Sequence, residues 1–296
     1  MKKILTVVLL LTTLLSCRKD LPVIENETTS INKKLTDKKN TAGRLASQEK
    51  VKLYKAWSSY GYVYHGAYRS KRYFYVEVAN IAYGKKVFVH HKMLNGSWQN
   101  FALQYDKSSD NNAEIWKLEL DLSSNFDCTT IAPPQLGEEF AIFYEVNGQV
   151  YWDNNRGNNY KMSATSGMYL QDGLHISNDV KDSYFANYPN TYASQLNVVV
   201  DVRNLGFEKK VTLVYSTDRW RTTKYAPMQF AQYYSIGSGS SLISPNQFGI
   251  ERWRINLPVE DITISRVEYA VSYKVNGTEY WDNNYGRNYR MLLARY

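Results

Sequence analysis

The chain has 296 residues, a formal net charge of +8, and 26 tyrosines, 10 phenylalanines and 7 tryptophans. The positive charge is not focused: Lys2 and Lys3 precede an apolar leader, and residues 18–50 carry eight basic and five acidic side chains. The small remaining positive charge is spread over all the residues after residue 50. This distribution excludes the basic patch that a nucleic-acid partner needs.

The first segment predicts export. Its lysines precede an apolar run over residues 4–15, about half of the ~20 residues that a membrane-spanning helix needs. The sequence Leu-Leu-Ser-Cys at residues 14–17 resembles the lipobox of bacterial lipoproteins, in which the cysteine is diacylated and becomes the mature N-terminus. We therefore expect a signal peptide over residues 1–16, a lipid on Cys17, and anchoring in the bacterial cell envelope, at the outer membrane. The alternative is an ordinary signal peptide that ends in cysteine.

Residues 17–50 are predicted to form a flexible tether, because they are rich in Lys, Asn, Thr and Glu and nearly lack aromatic residues. Their basic excess is suited to anionic lipid headgroups. If Cys17 carries lipid, Cys128 has no partner and no disulfide is expected. No histidine lies near Cys128 in the sequence, which favours a packed thiol over a nucleophile.

From residue 51 onward, short aromatic and β-branched runs alternate with Gly, Asn, Asp and Ser, which predicts an all-β chain. Residues 139–160 and 268–289 agree at 14 of 22 positions, so the chain carries one domain twice. The two copies extend over residues 51–162 and 168–292, each the usual size of a β-sandwich. The short join predicts that the copies stay close together.

The repeated block predicts a hairpin that exposes one tryptophan to solvent. Asn-Gly in each copy indicates a two-residue hairpin turn, whose register places Phe143 opposite Trp152 and Ser272 opposite Trp281. Side chains alternate along a strand, and the face that carries Trp281 also carries a lysine, a glutamate and a serine. Both tryptophans are therefore expected to face solvent, while tyrosines on the other face hold the hairpin to the core.

An exposed indole can stack on the apolar face of a pyranose ring, and amides beside it can bind the hydroxyls. An aspartate beside the indole can accept hydroxyls as well. The candidates of this kind are Trp152 with Asp153, Asn154 and Asn155, and Trp281 with Asp282, Asn283 and Asn284. The alternative for the asparagines is turn capping through bonds to the backbone, which we expect in addition. Trp116 and Trp253 are predicted to pack in the core, whereas Trp98 and Trp220 are predicted in loops that follow a strand.

Several motifs together resemble carbohydrate-binding module family 21. They are Asn-Ile-Ala-Tyr-Gly-Lys-Lys-Val at 80–87, Asn-Leu-Gly-Phe-Glu-Lys-Lys-Val at 204–211, the loop tryptophan after each, and Trp-Asp-Asn-Asn-x-Gly-x-Asn-Tyr in the repeated block. The family includes starch-binding domains of fungal glucoamylases and glycogen-targeting subunits of protein phosphatase 1. The resemblance implies two immunoglobulin-like antiparallel β-sandwiches that bind α-1,4-glucan without hydrolysing it and without a cofactor or metal.

The resemblance also implies two sugar sites in each copy. One site pairs the loop tryptophan with the tryptophan of the closing motif: Trp98 with Trp152, and Trp220 with Trp281. A third aromatic of that site falls on Ala141 and Ala270, which implies weaker stacking. The other site has Tyr83, Lys85 and Tyr105 in the first copy, and Phe207, Lys209 and Phe230 in the second.

The leading hypothesis is non-catalytic binding of starch, glycogen or maltooligosaccharide by a membrane-anchored lipoprotein, with two modules raising the apparent affinity. No enzyme is expected, because His65, His90, His91 and His175 form no catalytic or metal-binding spacing. The alternative is an adhesion module or a regulatory module of phosphatase-targeting type that binds other envelope proteins and in which glycan binding is weak or lost. Residues 266–269 resemble a phosphatase-docking peptide, but they lie in a predicted core strand.

Overall fold

The computed structural model describes residues 49–62, 68–109, 112–123, 133–178, 183–188, 192–237 and 240–295. The leader, Cys17, the tether as far as residue 48, and Cys128 lie outside these ranges, so export, lipidation and the free thiol stay predictions. Within the ranges the chain consists of β-strands, turns and one short 3-10 segment, which confirms the all-β prediction. No helix among the described residues has the length and apolar character to cross a bilayer.

The first sandwich consists of two antiparallel sheets. Its strands are β1 (Val51–Tyr62), β2 (Tyr68–Ala79), β3 (Lys85–Met93), β4 (Trp98–Ala102), β5 (Gln104–Ser109), β6 (Ala113–Asp121), β7 (Leu136–Val146), β8 (Gln149–Asp153), β9 (Tyr160–Lys161) and β10 (Tyr169–Leu170). The sheet orders are β10-β1-β2-β6-β5 and β4-β3-β7-β8, with β9 also on β7. Alternate apolar residues of the two sheets, such as Phe74, Val76, Ile142 and Tyr144, meet in a fully buried core.

The second sandwich repeats this plan. Its strands are β11 (Ile176–Asn178), β12 (Tyr184–Asn187), β13 (Ser194–Arg203), β14 (Lys209–Ser216), β15 (Lys224–Pro227), β16 (Gln229–Ala231), β17 (Tyr233–Gly237), β18 (Ser240–Ile243), β19 (Ile250–Val259), β20 (Arg266–Val275), β21 (Thr278–Asp282), β22 (Tyr289–Leu292) and β23 (Ala294–Arg295). One sheet has the order β16-β19-β13-β12-β23, and the other β15-β14-β20-β21. Val198, Val200, Val271 and Tyr273 lie in the core between them.

Equivalent contacts in the two sandwiches match the predicted duplication. The buried Tyr144 hydroxyl donates to the carbonyl of Ala79 at 2.9 Å, and the buried Tyr273 hydroxyl donates to the carbonyl of Arg203 at 2.8 Å. In each case a tyrosine of the hairpin reaches across the core to the end of a strand in the opposite sheet. The tyrosines therefore hold both hairpins to the core, as the repeated block predicts.

The structure corrects the predicted start of the second copy. Tyr169 and Leu170, placed in the second copy by the sequence, pair with Ala56 and Lys55 of β1 and extend the sheet of the first sandwich. The Tyr169 ring also packs edge-on against Tyr160, with 5.4 Å between ring centroids. The second sandwich thus begins with β11, because the join is used as an edge strand of the first.

A separate apolar cluster, here called the seam, lies where the two sandwiches meet. It consists of Trp57, Tyr73, Met168, Leu170 and Ile250. A hairpin of the second sandwich, β17–β18, is inserted between β16 and β19, where the first sandwich passes directly from β5 to β6. The sandwiches are therefore joined by side-chain packing as well as by the short connecting chain.

Candidate functional site

The predicted hairpin registers are confirmed. The turns are Asn147-Gly148 and Asn276-Gly277. All four turn residues have positive φ, as a type I′ turn requires. Phe143 pairs with Trp152 across the first hairpin, and Ser272 pairs with Trp281 across the second. The tryptophans lie on the outer face with 44% and 49% of their surface exposed.

Five rings form a continuous aromatic surface on the outer face of sheet β4-β3-β7-β8, here called the first platform. They are Phe88, His90, Trp98, Phe143 and Trp152. The His90 ring stacks on Trp98 with 4.7 Å between centroids and 8° between planes, and it meets Trp152 edge-on at 5.6 Å. Phe143 lies 4.8 Å from Trp152 and stacks on Phe88 at 4.7 Å. The histidine thus joins the two tryptophans that the resemblance pairs in one site.

His90 and Phe88 were not among the residues predicted for the site. Both lie on β3 and reach the hairpin only because β3 pairs with β7, which brings His90 opposite Ala141 and Phe88 opposite Phe143. The alanine at the missing third aromatic position therefore leaves room beside a histidine. His90 and His91 are neighbours in a strand, so their rings lie on opposite faces: His91 is buried and His90 lies on the outer face.

Trp98 is the first residue of β4, where the sequence predicted a loop. It pairs with Lys92 of β3, whose Nζ lies 5.9 Å from the indole centroid. That lysine also forms an ion pair with Glu139 at 3.1 Å. Trp98 is 38% exposed, so a strand position fixes its ring and still presents it to solvent.

The second sandwich has no equivalent ring stack among its described residues. The positions that match Phe88, His90 and Phe143 hold Thr212, Val214 and Ser272. Ser272 is buried and its hydroxyl donates to Glu279. Trp281 here lies opposite Ser272 and shares its face with the ion pair of Lys274 and Glu279, which makes this copy the poorer stacking surface.

Trp220 lies in a turn after β14, as predicted. It has φ of 65°, follows Arg219 at 62°, and its N–H donates to Ser216 Oγ at 2.8 Å. The turn is held by Asp218, whose carboxylate accepts the N–H and hydroxyl of Thr222 at 2.9 and 2.8 Å. These hydrogen bonds lower the pKa of Asp218 to about 2, so the turn stays intact in mildly acidic solution.

Asp153 and Asp282 were predicted as sugar-binding residues, and the structure corrects this. Asp153 follows the outward Trp152 and therefore faces inward, where Oδ2 accepts the Leu53 N–H at 2.6 Å and the Tyr160 hydroxyl at 2.8 Å. Burial and then the Asp153 charge raise the pKa of that hydroxyl, so it remains a donor. The carboxylate joins the hairpin to the first strand.

Asp282 makes the same contacts in the second sandwich. It accepts the N–H of Asn178 at 2.7 Å and the hydroxyl of Tyr289 at 2.7 Å. We call this arrangement the aspartate clasp of each sandwich. Both oxygens are engaged inside the fold, so neither aspartate is available to a sugar.

The paired asparagines cap the bend of the closing motif, which the sequence analysis gave as an alternative or additional role. Asn154 Oδ1 accepts the N–H of Gly157 at 2.9 Å, and Asn155 Nδ2 donates to the carbonyl of Asn159 at 3.0 Å. The second copy repeats both bonds, with Asn283 to Gly286 at 2.9 Å and Asn284 to Asn288 at 3.3 Å. Asn155, Asn159, Asn284 and Asn288 have left-handed φ, a conformation that asparagine tolerates.

Asn284 has a further contact at the boundary between the sandwiches. Lys107 of β5 donates to Asn284 Oδ1 at 3.5 Å, and its Nζ lies 4.2 Å from the centroid of Tyr285. Tyr285 also donates to the hydroxyl of Tyr54 at 3.1 Å. The closing bend of the second copy is therefore packed against the first sandwich, while Asn155 in the first copy is exposed.

Lys85 and Lys209 were also predicted as sugar contacts, and the structure places both in buried ion pairs. Lys85 donates to Glu114 at 2.8 Å and to Asn80 Oδ1 at 2.6 Å. Lys209 repeats these contacts with Glu251 at 2.8 Å and Asn204 at 2.6 Å. The side chains of the two lysines are only 3% and 7% exposed, so they fix the loop before β3 or β14.

The rings of the other implied site are exposed. Tyr83 and Phe207 project fully into solvent from those fixed loops. Tyr105 and Phe230 are about half exposed and occupy equivalent places, opposite Trp116 and Trp253. They meet those tryptophans edge-on at 6.2 and 5.9 Å.

Trp116 and Trp253 are half-buried and pack against the cores, in agreement with the prediction that they face inward. Each indole N–H donates to the glutamate of the buried ion pair, Glu114 at 2.9 Å or Glu251 at 3.3 Å. Among the described residues no group of His, Cys, Asp and Glu has the arrangement of a metal site. The phosphatase-like peptide lies in β20, with Val267 and Tyr269 fully buried.

The chain belongs to the carbohydrate/starch-binding module family 21. The family model matches residues 68–163 and 185–292, together more than half of the chain, so both sandwiches are members. This is a family of non-catalytic starch- and glycogen-type glucan-binding modules, in agreement with the resemblance drawn from the repeated motifs.

Among similar proteins, the human protein phosphatase 1 regulatory subunit 3B is 36% identical over 95 residues, 32% of this chain and 30% of that protein. The bovine subunit 3C is 33% identical over 97 residues, 33% of this chain and 28% of that protein. The match thus spans less than a third of the length of these relatives. The starch-binding domain of Rhizopus oryzae glucoamylase, solved with beta-cyclodextrin and maltoheptaose, is 28% identical with a TM-score of 0.29, over 41% of this chain and 99% of that one.

Proposed function

We propose that this protein binds starch-type α-1,4-glucan without catalysis, mainly through the first platform, while anchored by lipid in a bacterial envelope. The observation that carries the proposal is the exposed stack of Trp98, His90 and Trp152 on the outer sheet. Large exposed aromatic surfaces are rare on soluble domains without a binding role. A neutral polymer with apolar ring faces matches such a surface.

Polar groups around the platform supply the directional part of recognition. Asn154 uses its Oδ1 for the turn but makes no hydrogen bond through Nδ2 within the described structure. His90 Nδ1 and Asn100 Oδ1 lie 2.6 Å apart at the edge of the stack. We infer that these groups bind hydroxyls while the tryptophans stack on the sugar rings.

The second module contributes a weaker site around Trp281 and Trp220. Because both modules belong to one chain and are packed together at the seam, the second site meets a repetitive polymer at high effective concentration. Tyr83 and Phe207, with Tyr105 and Phe230, remain proposed as additional stacking contacts.

Retention on insoluble starch tests this function. The double variant Trp152→Ala/Trp281→Ala should lose retention, because each proposed site loses one of its two indoles. Thermal unfolding followed by circular dichroism should stay near wild type, since both side chains lie outside the cores. Lys86→Ala is the matched control, because Lys86 lies on β3 outside the platform. Retention of the double variant equal to wild type would contradict the proposed site.

The proposed anchor is tested separately. Cells that express the full chain and are fed a labelled fatty acid should incorporate label into the wild type, and Cys17→Ser should remove it. Soluble starch should release no reducing sugar with the purified protein, as expected for a binding protein. Label that persists in Cys17→Ser would disprove the lipobox assignment and leave the binding proposal untouched.

A further inference from the structure

The outer face of sheet β12-β13-β19 in the second sandwich takes no part in the sites described so far. Its central row consists of Tyr184, Asn197 and Asn256, which the strand register places side by side. Tyr184 and Tyr188 are 40% and 42% exposed, and Asn256 is exposed as well. We call these four residues the open face, which extends about 10 Å across its three strands.

The matching face of the first sandwich is closed. The positions equivalent to Tyr184 and Asn197 hold Trp57 and Tyr73, which pair in the same register and stack with 4.7 Å between centroids. Both are buried in the seam together with Met168. Duplication has therefore left one copy of this face covered by the neighbouring sandwich and the other copy exposed.

The open face also differs in charge. On the first sandwich the row next to Tyr73 ends in Glu119, which pairs with Lys71 at 2.5 Å. At the same places the second sandwich has Asn256 and Gln195. An ion pair has thus been replaced by two neutral amides, each with donor and acceptor groups.

The two tyrosines of the open face flank Ala186 on the same side of their strand. Ala186 is 1% exposed although it faces outward. We infer that the two rings cover Ala186 and form one aromatic surface beside the amides. Tyrosine offers large contact area at low conformational cost, which suits a binding surface.

We propose that the open face is a further carbohydrate-binding surface, whose ligand is a short stretch of a neutral polysaccharide. Neutral amides beside tyrosine rings match a ligand that has hydroxyls and apolar ring faces but no charge. A protein partner of the kind seen at the seam would need the apolar Trp57 and Tyr73, which this copy replaces with Tyr184 and Asn197. The inference does not depend on the first platform or on the weaker site around Trp281, because it rests on a different sheet.

The test uses the full mature chain with Trp98, Trp152, Trp220 and Trp281 replaced by alanine, together with the exposed rings of the other implied site, so that every sugar site proposed above is silent. Those rings are Tyr83, Tyr105, Phe207 and Phe230. Affinity electrophoresis in gels that contain amylopectin, glycogen or a neutral β-glucan measures the remaining retardation. In this background we compare Asn256→Glu, which restores the residue of the first sandwich, with Tyr184→Ser. Tyr233→Ser is the control, because Tyr233 is an exposed tyrosine on β17.

We expect the background protein to be retarded in at least one gel, and Asn256→Glu and Tyr184→Ser each to reduce that retardation at least fivefold, with Tyr233→Ser unchanged. A background without retardation in every gel overturns the proposal, as does retardation that neither variant lowers. A monomer–dimer equilibrium that Tyr184→Ser abolishes would instead identify the face as a protein interface and also overturn it. Failure of the proposed function is distinguishable, because wild type and background would then migrate alike.

Discussion

The two sandwiches share their scaffold and differ in what they display. Both retain the aspartate clasp, the buried lysine–glutamate pair and the hairpin tyrosine that reaches across the core. On the outer sheet, His90 and Phe143 of the first copy are matched by Val214 and Ser272 in the second. The internal contacts therefore specify the fold, while the binding surface has changed independently. The most repeated polar residues of the motif are structural.

A second difference lies inside the sandwiches. The first buries Arg72, whose Nη1 donates to His91 Nε2 at 2.9 Å and to the Gly137 carbonyl at 3.2 Å, and whose Nε donates to Ser58 Oγ at 3.3 Å. The equivalent positions of the second hold the apolar or aromatic residues Phe185, Leu196 and Tyr215. Burying a charged group costs free energy unless it is well paired, so the first sandwich should be the more sensitive to pH.

The largest effect, on the free energy of unfolding, is expected from removing the aspartate clasp that both copies share. Asp153→Ala leaves the Leu53 N–H and the Tyr160 hydroxyl without their acceptor. Each buried donor that loses its partner costs about 1–3 kcal/mol, so the free energy of unfolding should fall by about 4 kcal/mol. Urea denaturation followed by circular dichroism measures it.

Asp282→Ala should lower the free energy of unfolding by a similar amount, because its hydrogen bonds match those of Asp153 to within 0.1 Å. The backbone N–H bonds are 2.7 Å at Asp282 and 2.6 Å at Asp153, and the tyrosine hydroxyl bonds are 2.7 Å and 2.8 Å. Asp153→Asn is the conservative control, since it keeps one acceptor oxygen and should be milder. If Asp153→Ala unfolds like wild type but loses glucan binding, the clasp is wrong and the aspartate belongs to the sugar site.

The next effect is a pH dependence of the first sandwich, which arises at the buried His91. The pKa of His91 is lowered from its ordinary 6.5 to about 4, chiefly by burial and to a smaller extent by the nearby Arg72 and His90, against a bond to the Lys92 carbonyl that raises it. Between those values the unfolded state binds the proton and the folded state does not. Stability should therefore fall as pH drops from 6.5 to 4, by about 3 kcal/mol in total.

Replacing the buried basic residues of the first sandwich with their counterparts from the second tests whether His91 causes this pH dependence. The triple variant Ser58→Phe/Arg72→Leu/His91→Tyr removes both buried basic groups and inserts the set that the matching core accepts. Its urea midpoint should change less between pH 7 and pH 4.5 than that of wild type. Equal pH dependence in both proteins would show that other groups control acid unfolding.

The sequence was sufficient for the local part of the site and insufficient for the rest. The register that exposes Trp152 follows from a two-residue turn and strict alternation, both of which act over a few residues. The same alternation places Asp153 on the inner side, so that correction was available from the hairpin itself. Lys85 was wrongly predicted as a sugar contact, because the sequence shows that the residue is charged but not that Glu114 lies beside it inside the fold.

His90 was missed for a related reason. It comes from a strand some 50 residues before the hairpin, and only the pairing of β3 with β7 brings it between the tryptophans. A histidine next to another histidine in a strand predicts one buried and one exposed ring. The order of strands in the sheet determines which surface the exposed ring joins.

The smallest effect is expected on glucan affinity when His90 is replaced by the valine that the second sandwich has at the equivalent position. His90→Val installs the residue of the second sandwich and removes the ring that stacks on Trp98. Aromatic pairs contribute about 0.5–1.5 kcal/mol beyond their buried area, so the dissociation constant for maltoheptaose should rise about fivefold. Calorimetric titration in a Trp220→Ala/Trp281→Ala background removes the weaker site of the second module, and Lys86→Ala on the same strand is the control. An unchanged dissociation constant for His90→Val would mean that the tryptophans bind sugar without the histidine between them, and the two copies would then differ only through Phe88 and Phe143.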